Sequence, residues 1–83
     1  MIPIHELLNR IRWDEEFGKG DFLIGYYDRV EDTILVVPLS QVLWRPGDHF
    51  SVRIVDAEGC FHLVPLHRIR EVYRNGECIW KRG

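Results

Sequence analysis

The sequence predicts an α+β domain, with one N-terminal helix packed on a mostly antiparallel, curved five- or six-stranded sheet or small barrel. Three observations carry this. Ile4, Leu7, Leu8 and Ile11 recur at the i, i+3, i+4, i+7 spacing of one helix face. From Phe22 onward the apolar residues fall in short runs and alternations punctuated by Gly, Pro, Asn and Asp. Asn75-Gly76, between two such runs, is the strongest two-residue signal for a β-hairpin.

In chain order, the helix covers residues 3–12, with Pro3 suited to its first turn. Residues 13–20 form a loop punctuated by Gly18 and Gly20. Phe22 to Arg29 and Thr33 to Leu39 are strands joined by a turn at Val30 to Asp32. The second of these is nearly all apolar, which predicts cover on both faces. Pro38 and Pro46 bracket an irregular stretch with a turn of helix near Ser40. Phe50 to Val55 and Cys60 to Pro65 alternate and form a hairpin. A four-residue loop, Asp56 to Gly59, keeps apolar residues opposite one another, whereas a three-residue loop scrambles the faces. The preferred register sets Arg53 beside His62 on the less apolar face and turns Phe61 and Leu63 inward. In the last hairpin Asn75-Gly76 pairs Tyr73 with Cys78 and Arg70 with Lys81, the latter a like-charge pair that a bound anion relieves.

The chain has 83 residues and is read as one domain, 1–83. A domain this size buries only about 60% of the surface its unfolded chain exposes, so no large enclosed active site is expected. Net charge is −2, which excludes a strongly basic nucleic-acid module. The charge is uneven, however: residues 1–65 carry net −5 and residues 66–83 net +3, which makes the chain end a candidate anion-facing surface. Of the basic residues nine are Arg and two Lys, and Arg is the better bidentate partner of phosphate. The longest apolar runs, at 22–27 and 34–39, fall short of the ~20 residues of a membrane span, and no signal peptide is evident, so a cytoplasmic location without membrane contact is expected. Cys60 and Cys78 are not a CxxC pair and are expected to be reduced.

Signatures of nucleotide-binding loops and zinc proteases are missing from the sequence. Cys60, His62, His67 and Cys78 mix metal-ligand types, but their spacing is unlike the tight pairs of structural zinc, and packing in the core explains the cysteines better. No metal or other cofactor is expected. His49-Phe50-Ser51 matches half of a two-histidine phosphoesterase signature whose second half is missing. Within Pro65-Leu66-His67-Arg68-Ile69-Arg70, His67 and Arg68 make a candidate phosphate clamp, with a charged fork beside a donor that switches near neutral pH. Tyr27-Asp28-Arg29 repeats the theme. Most of the Trp and Tyr side chains are expected in the core, with one or two near the arginines as a stacking platform.

Several segments carry a resemblance that runs, in order, over the whole chain. They are Ile2 to Asp14, Tyr27-Asp28-Arg29, Pro46-Gly47-Asp48-His49-Phe50, Pro65 to Arg70, and Gly76 to Trp80. Together they resemble a small, mainly archaeal family, the RNA cyclic group end recognition domain. The resemblance implies recognition of RNA ends bearing a 2′,3′-cyclic phosphate. Related domains are fused to RNA-processing modules, so RNA 3′ ends and an RNA-processing enzyme are the implied partners. It supplies no catalytic residues.

On the chemistry of the side chains, His67 and Arg68 form the clamp, Arg29 adds a second charge, and Arg53 and His62 flank it. Arg70 and Lys81 contact the RNA backbone and Tyr27 stacks on a base. Two alternatives compete with an RNA-end reader that is not itself an enzyme. One is a protein-interaction adaptor for an RNA-processing enzyme. The other is a small cyclic phosphodiesterase working through a pair of histidines, with His62 and His67 nearest in sequence and His5 and His49 available.

Overall fold

The computed structural model describes all residues but 1, 45, 46, 48, 49 and 83. His49 and most of the Pro46 to Phe50 motif therefore lie outside the described residues.

Helix α1 (Ile4–Trp13) is followed by β1 (Phe22–Asp28), β2 (Thr33–Pro38), β3 (Val42–Leu43), β4 (Ser51–Val55), β5 (Phe61–Pro65), β6 (Ile69–Arg74) and β7 (Glu77–Lys81). Short 3₁₀ turns at Leu39–Gln41 and Leu66–Arg68 lead into β3 and β6. The α+β class is as the sequence predicts. The strands, however, divide between two antiparallel sheets, one ordered β2-β1-β6-β7 and one ordered β3-β4-β5. Among the described residues neither sheet closes into a barrel. No helix of the described residues is long and apolar enough to cross a membrane.

Pro3 caps α1 from outside the helix, and its carbonyl accepts the amides of Glu6 and Leu7. The apolar stripe Ile4, Leu7, Leu8 and Ile11 is buried, as its spacing requires. It packs with Ile24 and Tyr26 of β1, Val52 and Ile54 of β4, Val64 of β5, and Ile69, Val72 and Trp80 of the last hairpin. One core thus serves both sheets.

Three expectations about the strands are overturned, two of register and one of burial. First, Asp56 stands opposite Cys60, with the Asp56 amide donating to the Cys60 carbonyl at 3.0 Å, so the β4–β5 turn is the three-residue loop Ala57 to Gly59. The reason is local. Asp56 Oδ1 accepts the amides of Glu58 and Cys60, both at 2.9 Å, and Gly59 takes the left-handed conformation that closes such a loop (φ 83°). His62 therefore stands opposite Ile54 and Arg53 opposite Leu63, on different faces. Phe61 and Leu63 point outward, 60% and 62% exposed.

Second, the Asn75-Gly76 turn forms as predicted, with positive φ at both residues, and Tyr73 pairs with Cys78. A bulge then makes Ile79 the extra residue, pairing Val72 with Trp80 and Glu71 with Lys81. The like-charge pair gives way to an ion pair, with Lys81 Nζ 4.0 Å from Glu71. Third, the outer face of β2 is open: Ile34 and Val36 are exposed, because the core lies on one side of this sheet only. Cys60 and Cys78 are free, as expected, but exposed rather than in the core.

Candidate functional site

A cleft of about 390 Å³ opens where the end of β1 and the turn after it meet β5 and the second 3₁₀ turn. Its walls come from three segments far apart in sequence: Tyr26 to Glu31, His62 to Val64, and Arg68. Four of the residues singled out from the sequence, Tyr27, Arg29, His62 and Arg68, line it together.

Each wall has a local cause. After β1, Asp28 Oδ1 accepts the amides of Val30 and Glu31 at 2.8 and 3.2 Å, tightening the turn that carries Arg29. Asp32, in the left-handed region (φ 52°), turns its carboxylate back to accept the Tyr27 hydroxyl. That bond, with burial second, holds the Tyr27 phenol above its ordinary range. The hydroxyl is therefore a fixed, neutral group and its ring a rigid surface.

On the opposite wall, His62 Nε2 lies 2.7 Å from Asp56 Oδ2. Asp56 is thus held at both oxygens, one by two backbone amides and the other by the imidazole. The bond from His62, then the Cys60 amide, keeps its carboxyl below the usual carboxylate range. Leu63 lines the cleft from the neighbouring position on β5.

The other predicted residues are distributed differently. Leu66–Arg68 is a 3₁₀ turn, in which successive side chains diverge by about 120°. Arg68 lines the cleft, whereas His67 lines a separate hollow with His5 and Phe50. Arg70 is the bulge residue between β1 and β6, and its guanidinium lies 6.0 Å from the Tyr27 ring centre, at the margin of the cleft. Lys81 is committed to Glu71, and Arg53 sits in the middle strand of the second sheet. Of the aromatics, Trp80 and Tyr26 are core, while Trp13 is exposed and covered by Arg12, whose guanidinium is 4.8 Å from the ring centres of both Trp13 and Trp44.

Sequence reasoning missed Asp32 and Asp56, which orient Tyr27 and His62. The signal for Asp56 was present: an Asp three residues before a Gly marks a side-chain-capped turn. Among the described residues no group of three or more His, Cys, Asp or Glu could hold a metal ion.

Comparison with known proteins places the chain among archaeal relatives. A UPF0248 protein of Saccharolobus solfataricus is 26% identical over 85 residues, covering 99% of both chains. A UPF0248 protein of Methanococcus maripaludis is 29% identical over 82 residues, covering 95% of this chain and 97% of the relative. No solved structure matches. The family model described as the MJ1316 RNA cyclic group end recognition domain matches residues 1–82, and the chain belongs to that family.

Proposed function

We propose that the cleft binds the 3′ end of an RNA carrying a 2′,3′-cyclic phosphate. The observation that carries this reading is the convergence of Tyr27, Arg29, His62 and Arg68 on one surface in a chain of this family. A cyclic phosphate bears a single negative charge and no free vicinal hydroxyls, so its reader needs charged forks, a donor and an apolar or aromatic wall. Arg29 and Arg68 supply the forks, His62 in its protonated form the donor through Nδ1, and Tyr27 with Leu63 the surface for ribose or base. In this reading His62 takes the place in the clamp that the side-chain chemistry alone had assigned to His67. Arg70 and, further out, Lys81 and Arg53 contact the strand leading to the end.

The test is binding of short labelled RNAs that differ only at the 3′ end, with cyclic phosphate, linear phosphate or hydroxyl, at two salt concentrations. A preference of at least tenfold for the cyclic end, about 1.4 kcal/mol, is expected. Equal, weak and salt-sensitive binding of all three overturns the reading and leaves only a basic patch.

A second reading is an adaptor that docks on an RNA-processing enzyme. It is favoured by Leu43, Phe61 and Leu63, exposed around Arg53 on the second sheet, whose edge strand β5 pairs on one side only among the described residues. RNA-free co-purification with such an enzyme, lost in Phe61→Ser/Leu63→Ser, is its expected signature.

A further inference from the structure

The Asp56–His62 pair is more than a loop closure. Asp56 Oδ1 is occupied by the amides of Glu58 and Cys60, which fixes the plane of the carboxylate and aims Oδ2 at the imidazole. An ionised carboxylate only accepts, so the proton of a neutral His62 sits on Nε2. Nδ1 is then a lone-pair acceptor, and it has no hydrogen-bond partner among the described residues. His62 is one of the residues that line the cleft, together with Arg29 and Arg68. A carboxylate that sets the tautomer, an imidazole with its basic nitrogen unused, and two guanidiniums near the same space are the parts of a general-base site for phosphoryl chemistry.

We propose that the protein hydrolyses the cyclic phosphate it binds, with His62 as the catalytic base and Asp56 as its positioning residue. This rests on the reading of the cleft as the site of the cyclic end. His62 Nδ1 takes a proton from water as the water oxygen attacks phosphorus. The bond from phosphorus to one ribose oxygen breaks, and the imidazolium returns the proton to that oxygen. One water is consumed, the ribose keeps a phosphomonoester on one hydroxyl and regains the other, and the protein is restored. Arg29 and Arg68 stabilise the charge that builds on the non-bridging oxygens. This assignment differs from a pairing of His62 with His67, because His67 faces another hollow.

The full chain, incubated in excess over a short RNA ending in a cyclic phosphate, tests this. Binding and conversion to the phosphomonoester are followed on the same RNA. Conversion by the wild type is expected, with a loss of about 100-fold or more in His62→Ala and His62→Gln, read at protein concentrations that saturate each variant so that the affinity lost with the clamp donor does not enter. Added imidazole restores conversion by His62→Ala and leaves His62→Gln inactive, a rescue that a purely structural role does not give. Asp56→Asn keeps the oxygen that caps the loop but offers an N–H to Nε2, which moves the ring proton to Nδ1. It is expected to bind RNA and fail in turnover. RNA that binds without conversion overturns hydrolysis, conversion undiminished in His62→Ala overturns His62 as its base, and either result leaves the binding reading standing. RNA that does not bind at all overturns both.

Discussion

Trp80 and Ile2, at opposite ends of the chain, are joined by a hydrogen bond: the indole Nε1 donates to the Ile2 carbonyl at 2.8 Å. Trp80 also fills the core under α1, so the last strand fastens the segment that begins the helix. Trp80→Phe, which keeps most of the ring but strands the carbonyl, is expected to cost about 1 kcal/mol or somewhat more. Trp80→Ala is expected to cost about 3–5 kcal/mol. Thermal melts check both, since about 1 kcal/mol shifts the midpoint of a domain this size by roughly 4–8 °C. Equal midpoints for wild type and Trp80→Phe exclude a role for the hydrogen bond.

Asp56 makes acid stability a test of the β4–β5 loop. Its native pKa lies below the unfolded value, chiefly through His62 and then the Cys60 amide. The stabilisation is therefore present above the unfolded pKa and lost as pH falls through the native one. Wild type is expected to be more stable than Asp56→Asn near neutrality, the gap closing as the carboxylate is protonated. Urea midpoints for both proteins through the acid range measure this. A gap that stays constant with pH excludes the linkage.

Asp32 holds the Tyr27 phenol above its ordinary range by accepting the hydrogen bond of its hydroxyl. Asp32→Ala is expected to lower the pH at which Tyr27 ionises. Ultraviolet titration of the two proteins, each with its Tyr27→Phe counterpart subtracted, isolates this one tyrosine. An unmoved titration curve refutes the contact.

Both cysteines are exposed and free. A thiol reagent is expected to label Cys60 and Cys78 in the folded protein, without denaturant. Mass spectrometry shows the result, and a site that reacts only after unfolding contradicts the described exposure.

At the cleft, Arg68→Ala and Arg29→Ala are each expected to weaken binding of the cyclic-ended RNA by about 1.5–3 kcal/mol, the worth of a charge-assisted contact. Lys81→Ala, whose partner is Glu71, is expected to change affinity far less. Titrations of one RNA with the three variants give the ranking, and an equal effect at all three positions removes the cleft from the account.

The features legible in the sequence were those that local chemistry decides. Helix α1 followed from its four apolar positions, and the last turn from Asn75-Gly76, because each signal sits within a few residues of its effect. The β4–β5 register was misread because apolar residues lie on both faces of β5, so alternation alone could not say which face is inward. The Asp56 side chain decided it. The Arg70–Lys81 pairing failed for a similar reason: one bulged residue, Ile79, shifts everything beyond it.

For the site, residue types were legible but meeting places were not. Tyr27, Arg29, His62 and Arg68 are drawn together only by the way two sheets share a core. His67 and Arg68, adjacent in sequence, part company through the geometry of a 3₁₀ turn.

The division of the strands into two sheets gives the cleft a mechanical character. Tyr27 belongs to one sheet and Arg29 to the turn beyond it, His62 to the other sheet, and Arg68 to the joint between β5 and β6. A ligand gripping all four acts as a strut across a seam that is otherwise bridged by side-chain packing. Its grip is added to the cohesion of the fold by mass action, about 2.7 kcal/mol at a hundredfold excess over Kd. Occupancy of the cleft therefore registers as resistance to heat.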